Sequence, residues 1–116
     1  MASVALLALG AVLFLAHSGP SAPLSVGLIA KEFMFDPKDV VVGSGEIAFI
    51  VKNQGAIEHN LVLEVPGGKT VTQIAIIEPG QTRRVTASLP AGTYIFYCSL
   101  PGHRDAGMVA TLRVSP

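Results

Sequence analysis

The sequence predicts an all-β chain, a Greek-key antiparallel β-sandwich of about seven or eight strands. Short segments rich in Val, Ile, Thr and Phe are punctuated by Gly, Pro, Asn and Asp turn signals, and no stretch shows helical spacing of its apolar residues. Where polar residues enter these segments they alternate with apolar ones, the pattern of strands with one face on a core. The chain has 116 residues, half of them apolar, which is one domain's worth of core and leaves no room for a second module.

The elements follow in chain order. Val4 to Ala16 is an apolar run, shorter than the about 20 residues of a comfortable membrane span, and it matches the core of an export signal. Ala16 and Ser18 supply small residues before Gly19, while no Lys or Arg stands near Met1, so an uncleaved anchor is the alternative. A buried helix of the domain is disfavoured by the linker-like Gly-Pro-Ser-Ala-Pro run at 19–23. Residues 1–18 are therefore assigned to a signal peptide or N-terminal anchor, 19–29 to a linker with room for a first strand, and 30–116 to the domain. The strand-like segments are "LSVGLIA", "DVVVGSGEIAFIVKN", "HNLVLEVPGG", "TVTQIAIIEPGQ", "RRVTASLPAGTYIFYC" and "MVATLRVSP", with no internal repeat among them.

Charge and cysteine count exclude whole classes of function. Eight basic and eight acidic residues leave no net charge and no basic run, which argues against nucleic acid and against a membrane-surface helix. The one cysteine cannot form an internal disulfide, so Cys98 is buried, reactive or a ligand.

The segment "YCSLPGHRDAGM" is the chemically distinctive one. It orders Cys98, His103 and Met108 as Cys-x4-His-x4-Met in a Gly- and Pro-containing stretch. Singly, a free cysteine is usually a core hydrophobe and a methionine core filler. As an ordered cluster, thiolate, imidazole and thioether suit copper and related soft metals. Strand parity adds a fourth donor: in "HNLVLEV", His59 shares a face with Leu61, Leu63 and Val65, so it points inward, whereas Asn60 and Glu64 alternate to the other face. In "MVATLRV", Met108 shares its face with Ala110, Leu112 and Val114. Two histidines, a thiolate and a weak axial thioether make the blue-copper donor set, whereas zinc prefers a stronger fourth ligand. Such a site exchanges electrons rather than substrates.

The pattern resembles the cupredoxins, the small blue copper proteins, from about Ala30 to Pro116. "EFMFDPKDVVVGSGEIAFIVKNQG" is similar to the family's opening strands and "EHNLVLE" to its first-histidine segment. The resemblance implies one mononuclear type 1 copper, with His59, Cys98 and His103 as equatorial ligands and Met108 axial. The four-and-four spacing is closer to auracyanin and rusticyanin than to plastocyanin or azurin, and the azurin disulfide is impossible with one cysteine. The family further implies that Asn60 bonds across to the cysteine loop at Ser99, and that His103 is the point of electron entry and exit. Around it, Leu100, Pro101, Arg104 and Ala106 are expected to meet partners, with Arg104 and Asp105 adjusting docking locally because a neutral chain steers weakly. Phe96 and Tyr97 are expected in the core.

The implied function is an exported electron carrier, periplasmic or on the outer face of the cytoplasmic membrane, serving redox proteins such as a cytochrome or a membrane electron-transfer complex. The membrane itself is a partner only if the N-terminal segment is retained. A non-redox copper carrier or storage module is the alternative. An enzyme with Cys98 as nucleophile and His103 as base gives Met108 and His59 no role. A binuclear copper site needs a second cysteine, and a multicopper oxidase needs more domains and histidines.

Overall fold

A computed structural model describes residues 22–116 together with Gly10. The signal peptide or anchor assigned to 1–18 lies outside the described residues. The described chain forms nine strands: β1 (Leu24–Lys31), β2 (Met34–Asp36), β3 (Asp39–Gly43), β4 (Gly45–Asn53), β5 (His59–Glu64), β6 (Thr70–Ile77), β7 (Thr82–Leu89), β8 (Gly92–Tyr97) and β9 (Val109–Ser115). They build two sheets, one in the order β2-β1-β4-β7 and one in the order β3-β9-β8-β5-β6.

The sandwich is all-β, but the count and the pairing depart from the expected seven or eight antiparallel strands. "DVVVGSGEIAFIVKN" divides at Ser44, sending β3 to one sheet and β4 to the other. "RRVTASLPAGTYIFYC" divides likewise at Pro90–Ala91, and "MFD" contributes a three-residue strand of its own. Two pairs are parallel, β1 with β4 and β3 with β9. Parallel neighbours require the chain to cross over before it returns. Here β3 supplies the crossing by leaving the β1 sheet, so β4 comes back beside β1 in the same direction. The division of the chain at residue 30 falls inside β1, whose Val26 and Leu28 are already buried core residues.

Between the sheets, period-two alternation decides what is buried. On β4, Ile47, Phe49 and Val51 are fully buried, and they meet Leu28 of β1 and Leu61, Leu63, Phe96 and Leu112 of the other sheet in one cluster. Phe35 and Phe96 pack edge to face across the layers with centroids 5.4 Å apart. Each such side chain contributes about 1.5–3 kcal/mol by leaving water. At the C-terminal end of β4, the fully buried Asn53 satisfies all its polar atoms. Its amide donates to the carbonyls of Ile57 and Ile77 (both 2.8 Å), and its oxygen accepts the Gly55 N–H (2.8 Å). That one side chain shapes the connection from β4 to β5 at the end of the sandwich where His59 begins.

Candidate metal centre

Strand β5 starts with His59, which is completely buried, and the facing end of β8 runs directly into Cys98, also completely buried. The loop from Cys98 to Met108 folds back on itself before β9. His103 donates its backbone N–H to Leu100 O (3.0 Å), and Met108 donates its own to His103 O (3.1 Å). Cys98 N–H in turn donates to Met108 O (3.1 Å), so the first and last residues of the loop are tied together. Gly107 makes the last bend with φ of +115°, a conformation that a side chain would disfavour.

The donor atoms of His59, Cys98 and His103 lie within 4.8 Å of one another. The two Nδ1 atoms are 3.2 Å apart, and Cys98 Sγ is 3.4 Å from His103 Nδ1. Nitrogen and sulfur donors bound about 2.0–2.3 Å from one small ion would stand at such separations. Met108, fully buried, is bound through its backbone to both Cys98 and His103, and its thioether is of the type that serves as the weak fourth donor of a type 1 set. The residues present therefore fit a single copper ion, with donor softness favouring it over zinc.

Asn60 and Ser99 come together as a reciprocal pair. Asn60 Nδ2 donates to Ser99 Oγ and Ser99 N–H donates to Asn60 Oδ1, both at 2.7 Å. Asn60 also sends its backbone N–H to Cys98 Sγ at 3.4 Å. Asn60 is on the outer face of β5 by parity yet is buried, because the Cys98 loop lies over it. The strand that carries one ligand is thus sewn to the loop that carries three.

Of the four, only His103 is not buried; Leu100 is half-buried, and Pro101, Arg104 and Ala106 are exposed around it. Arg104 is not a free charge, since its guanidinium lies 4.2 Å above the Tyr97 ring. Tyr97 itself is not in the core. It is half-buried on the opposite face of β8 from Phe96 and donates its hydroxyl to Glu64 (2.8 Å), whose carboxylate, with partial burial, raises the phenol's pKa.

Three participants carry no signal in the sequence. Glu32, in the β1–β2 turn, places Oε1 3.1 Å from His59 Nε2. Phe33, 39% exposed, sets its ring edge-on to His103 at 4.9 Å. Asn53 shapes the loop before His59. An acid, an aromatic and an asparagine near turns are ordinary there, and no spacing links them to ligands 6 to 70 positions away. Burial lowers the pKa of His59, against the opposing pull of Glu32, which favours the neutral imidazole a metal requires. Desolvation would raise the Glu32 carboxyl, but the N–H groups of Ile57 and Ala56 and the His59 ring outweigh it and hold its pKa below the usual range.

Comparison with known proteins agrees with this geometry. Residues 23–115 match the family model described as copper binding proteins, plastocyanin/azurin family. Chloroplastic plastocyanin of Oryza sativa subsp. indica is 36% identical over 121 residues, covering 98% of this chain and 76% of that protein. A copper-resistant cuproprotein, CopI of Rubrivivax gelatinosus, is 30% identical over 104 residues, covering 75% of this chain and 63% of that protein. In fold, the chain is similar to the dithionite-reduced auracyanin of Roseiflexus castenholzii, with a TM-score of 0.72 at 23% identity over 83% of this chain and all of the other. With the donors of His59, Cys98 and His103 gathered in a two-sheet sandwich and the family match spanning that whole sandwich, the chain belongs to the plastocyanin/azurin family of copper-binding proteins.

Proposed function

We propose that the protein is an exported electron carrier that takes single electrons from one redox protein and hands them to another through a type 1 copper held by His59, Cys98, His103 and Met108. The observation that carries this reading is the convergence of the three donor atoms of His59, Cys98 and His103 at one buried point, with His103 alone reaching the surface. Copper, when bound, supplies a one-electron couple, and this chain's residues provide the setting for it. Burial of His59, Cys98 and Met108 keeps water from the donors, which favours a single exchangeable electron over ligand exchange. The Asn60–Ser99 pair and the Cys98–Met108 backbone bond hold the donors whether or not the charge changes, so little rearrangement accompanies transfer. The Asn60 N–H directed at Cys98 Sγ stabilises negative charge on the sulfur.

Electrons enter and leave at the exposed edge of His103, where Leu100, Pro101 and Ala106 of the loop supply apolar surface together with Phe33, whose ring meets His103. Such a surface suits brief encounters at the low end of interface size. A cytochrome or a membrane electron-transfer complex fits this role, and the apolar run from Val4 to Ala16 supports export to the periplasm or to the outer face of the cytoplasmic membrane. The similarity to a copper-resistant cuproprotein keeps copper carriage as a second reading. Adding Cu(II) to the purified protein separates the two: an intense visible thiolate-to-copper band, with reversible reduction and slow loss of copper to a chelator, supports the carrier of electrons. A colourless complex overturns the blue-copper reading, and rapid release of copper to the chelator favours carriage of the metal itself.

A further inference from the structure

We propose that Glu32 is a positioning residue for His59, its carboxylate holding the imidazole through Nε2 so that Nδ1 is presented to the copper as a strengthened donor. The inference rests on the copper reading above and adds to it a residue from a distant part of the chain.

Three N–H groups converge on the single oxygen Oε1 of Glu32: those of Ala56 (3.0 Å), Ile57 (3.1 Å) and His59 Nε2 (3.1 Å). Two of the donors are backbone amides with a fixed proton, so the oxygen is an acceptor in all three bonds and the proton of the neutral His59 ring sits on Nε2. Nδ1 is then left with its lone pair, on the side of the ring that faces His103 Nδ1. A carboxylate on the far nitrogen of a metal-bound histidine fixes its tautomer and orientation and raises its basicity. Stronger donation favours the more highly charged Cu(II) over Cu(I).

The seat for this carboxylate is built rather than incidental. A Cβ placed on Gly55 would run into the Glu32 carboxylate, coming within 2.8 Å of its carboxyl carbon, so the glycine is what lets the acid approach. Gly55 is held in turn by Asn53 Oδ1, and Asn53 Nδ2 fixes Ile57 O, so a buried side chain sets the amides that grip Glu32. Glu32 remains 31% exposed as a side chain, so its charge is not forced into the core.

Glu32→Gln is the central variant, because it preserves shape and one acceptor oxygen while removing the charge. Gly55→Ala is the independent one, displacing the carboxylate without altering it. In the metal-free protein, long-range proton–nitrogen NMR reads the His59 ring; the wild type should show a proton on Nε2 at low field, shifted to higher field in Glu32→Gln. In the copper-loaded protein, Cu(II) affinity should fall about 10- to 100-fold in both variants. Cu(I) affinity should change less, so the potential should rise by about 59 mV for each tenfold change in their ratio. The blue band should persist, and thermal unfolding of metal-free Glu32→Gln should stay close to wild type, which separates positioning from a purely structural role. A blue wild type whose Glu32→Gln variant keeps both the ring proton shift and the potential unchanged overturns the role of Glu32 alone. A wild type with no blue band overturns the copper reading, and this inference with it.

Discussion

The two histidines of the site are held in opposite ways. His103 belongs to a loop of eleven residues that also contains Cys98 and Met108, and short backbone bonds within that loop fix its position. Its ring touches Phe33 and reaches solvent. His59 is at the start of a strand, fully buried, and its ring is held from outside the site by Glu32, while the loop before it is shaped by Asn53. The local loop supplies donors and access; the distant corner supplies orientation. Under the proposed function, a site assembled this way separates electron entry at His103 from control of the buried His59.

The contrast can be broken at its strongest point first. Cys98→Ser should abolish the visible band entirely, since no other thiol is present, and absorption titration with Cu(II) checks this. On the opposite side, Asn53→Ala removes three hydrogen bonds around one buried amide and should cost about 2–4 kcal/mol in the metal-free protein, read by denaturant unfolding. If that loss is absent, the corner before His59 is not held by Asn53. Asn60→Ala, which cuts both side-chain bonds between strand and loop, should cost about 1–3 kcal/mol by the same measurement and weaken copper retention as well.

Smaller effects sharpen the difference. Met108→Leu should keep the colour and raise the potential, because a weak donor that favours Cu(II) is lost; full loss of copper would contradict a weak axial role. At the access side, Leu100→Asp should slow electron self-exchange more than Arg104→Ala does, with the spectrum nearly unchanged in both. Arg104 already rests on Tyr97, and the neutral chain steers weakly, so stopped-flow rates in the wild type should vary little with ionic strength. A steep salt dependence would show a charged dock instead.

The strands were readable where alternation and turn residues coincide, as in β9, whose buried residues Ala110, Leu112 and Val114 follow parity; in β5 burial runs unbroken from His59 to Leu63, because its outer face is also covered. The split of β3 from β4 was not, because a Gly-Ser-Gly step reads equally as a bulge within one strand or as a crossing between sheets. Parallel pairing of β1 with β4 was hidden for the same reason: hydrogen-bond partners across a sheet leave no trace in local composition.

By itself, the sequence determined the donor set and the loop that carries most of it. Cys98, His103 and Met108 are close along the chain, and the chemistry of thiolate, imidazole and thioether is a property of residue type that survives any fold bringing His59 beside them. Only the tertiary structure decided what holds those donors. Glu32 reaches His59 because β1 ends beside the loop that leaves β4, Gly55 leaves space for a carboxylate, and Asn53 turns two amides toward it. Those contacts join residues whose separation in the chain says nothing of their separation in space, and a hydrogen bond of about 3 Å is decided by the packing of both sheets rather than by any stretch of one strand.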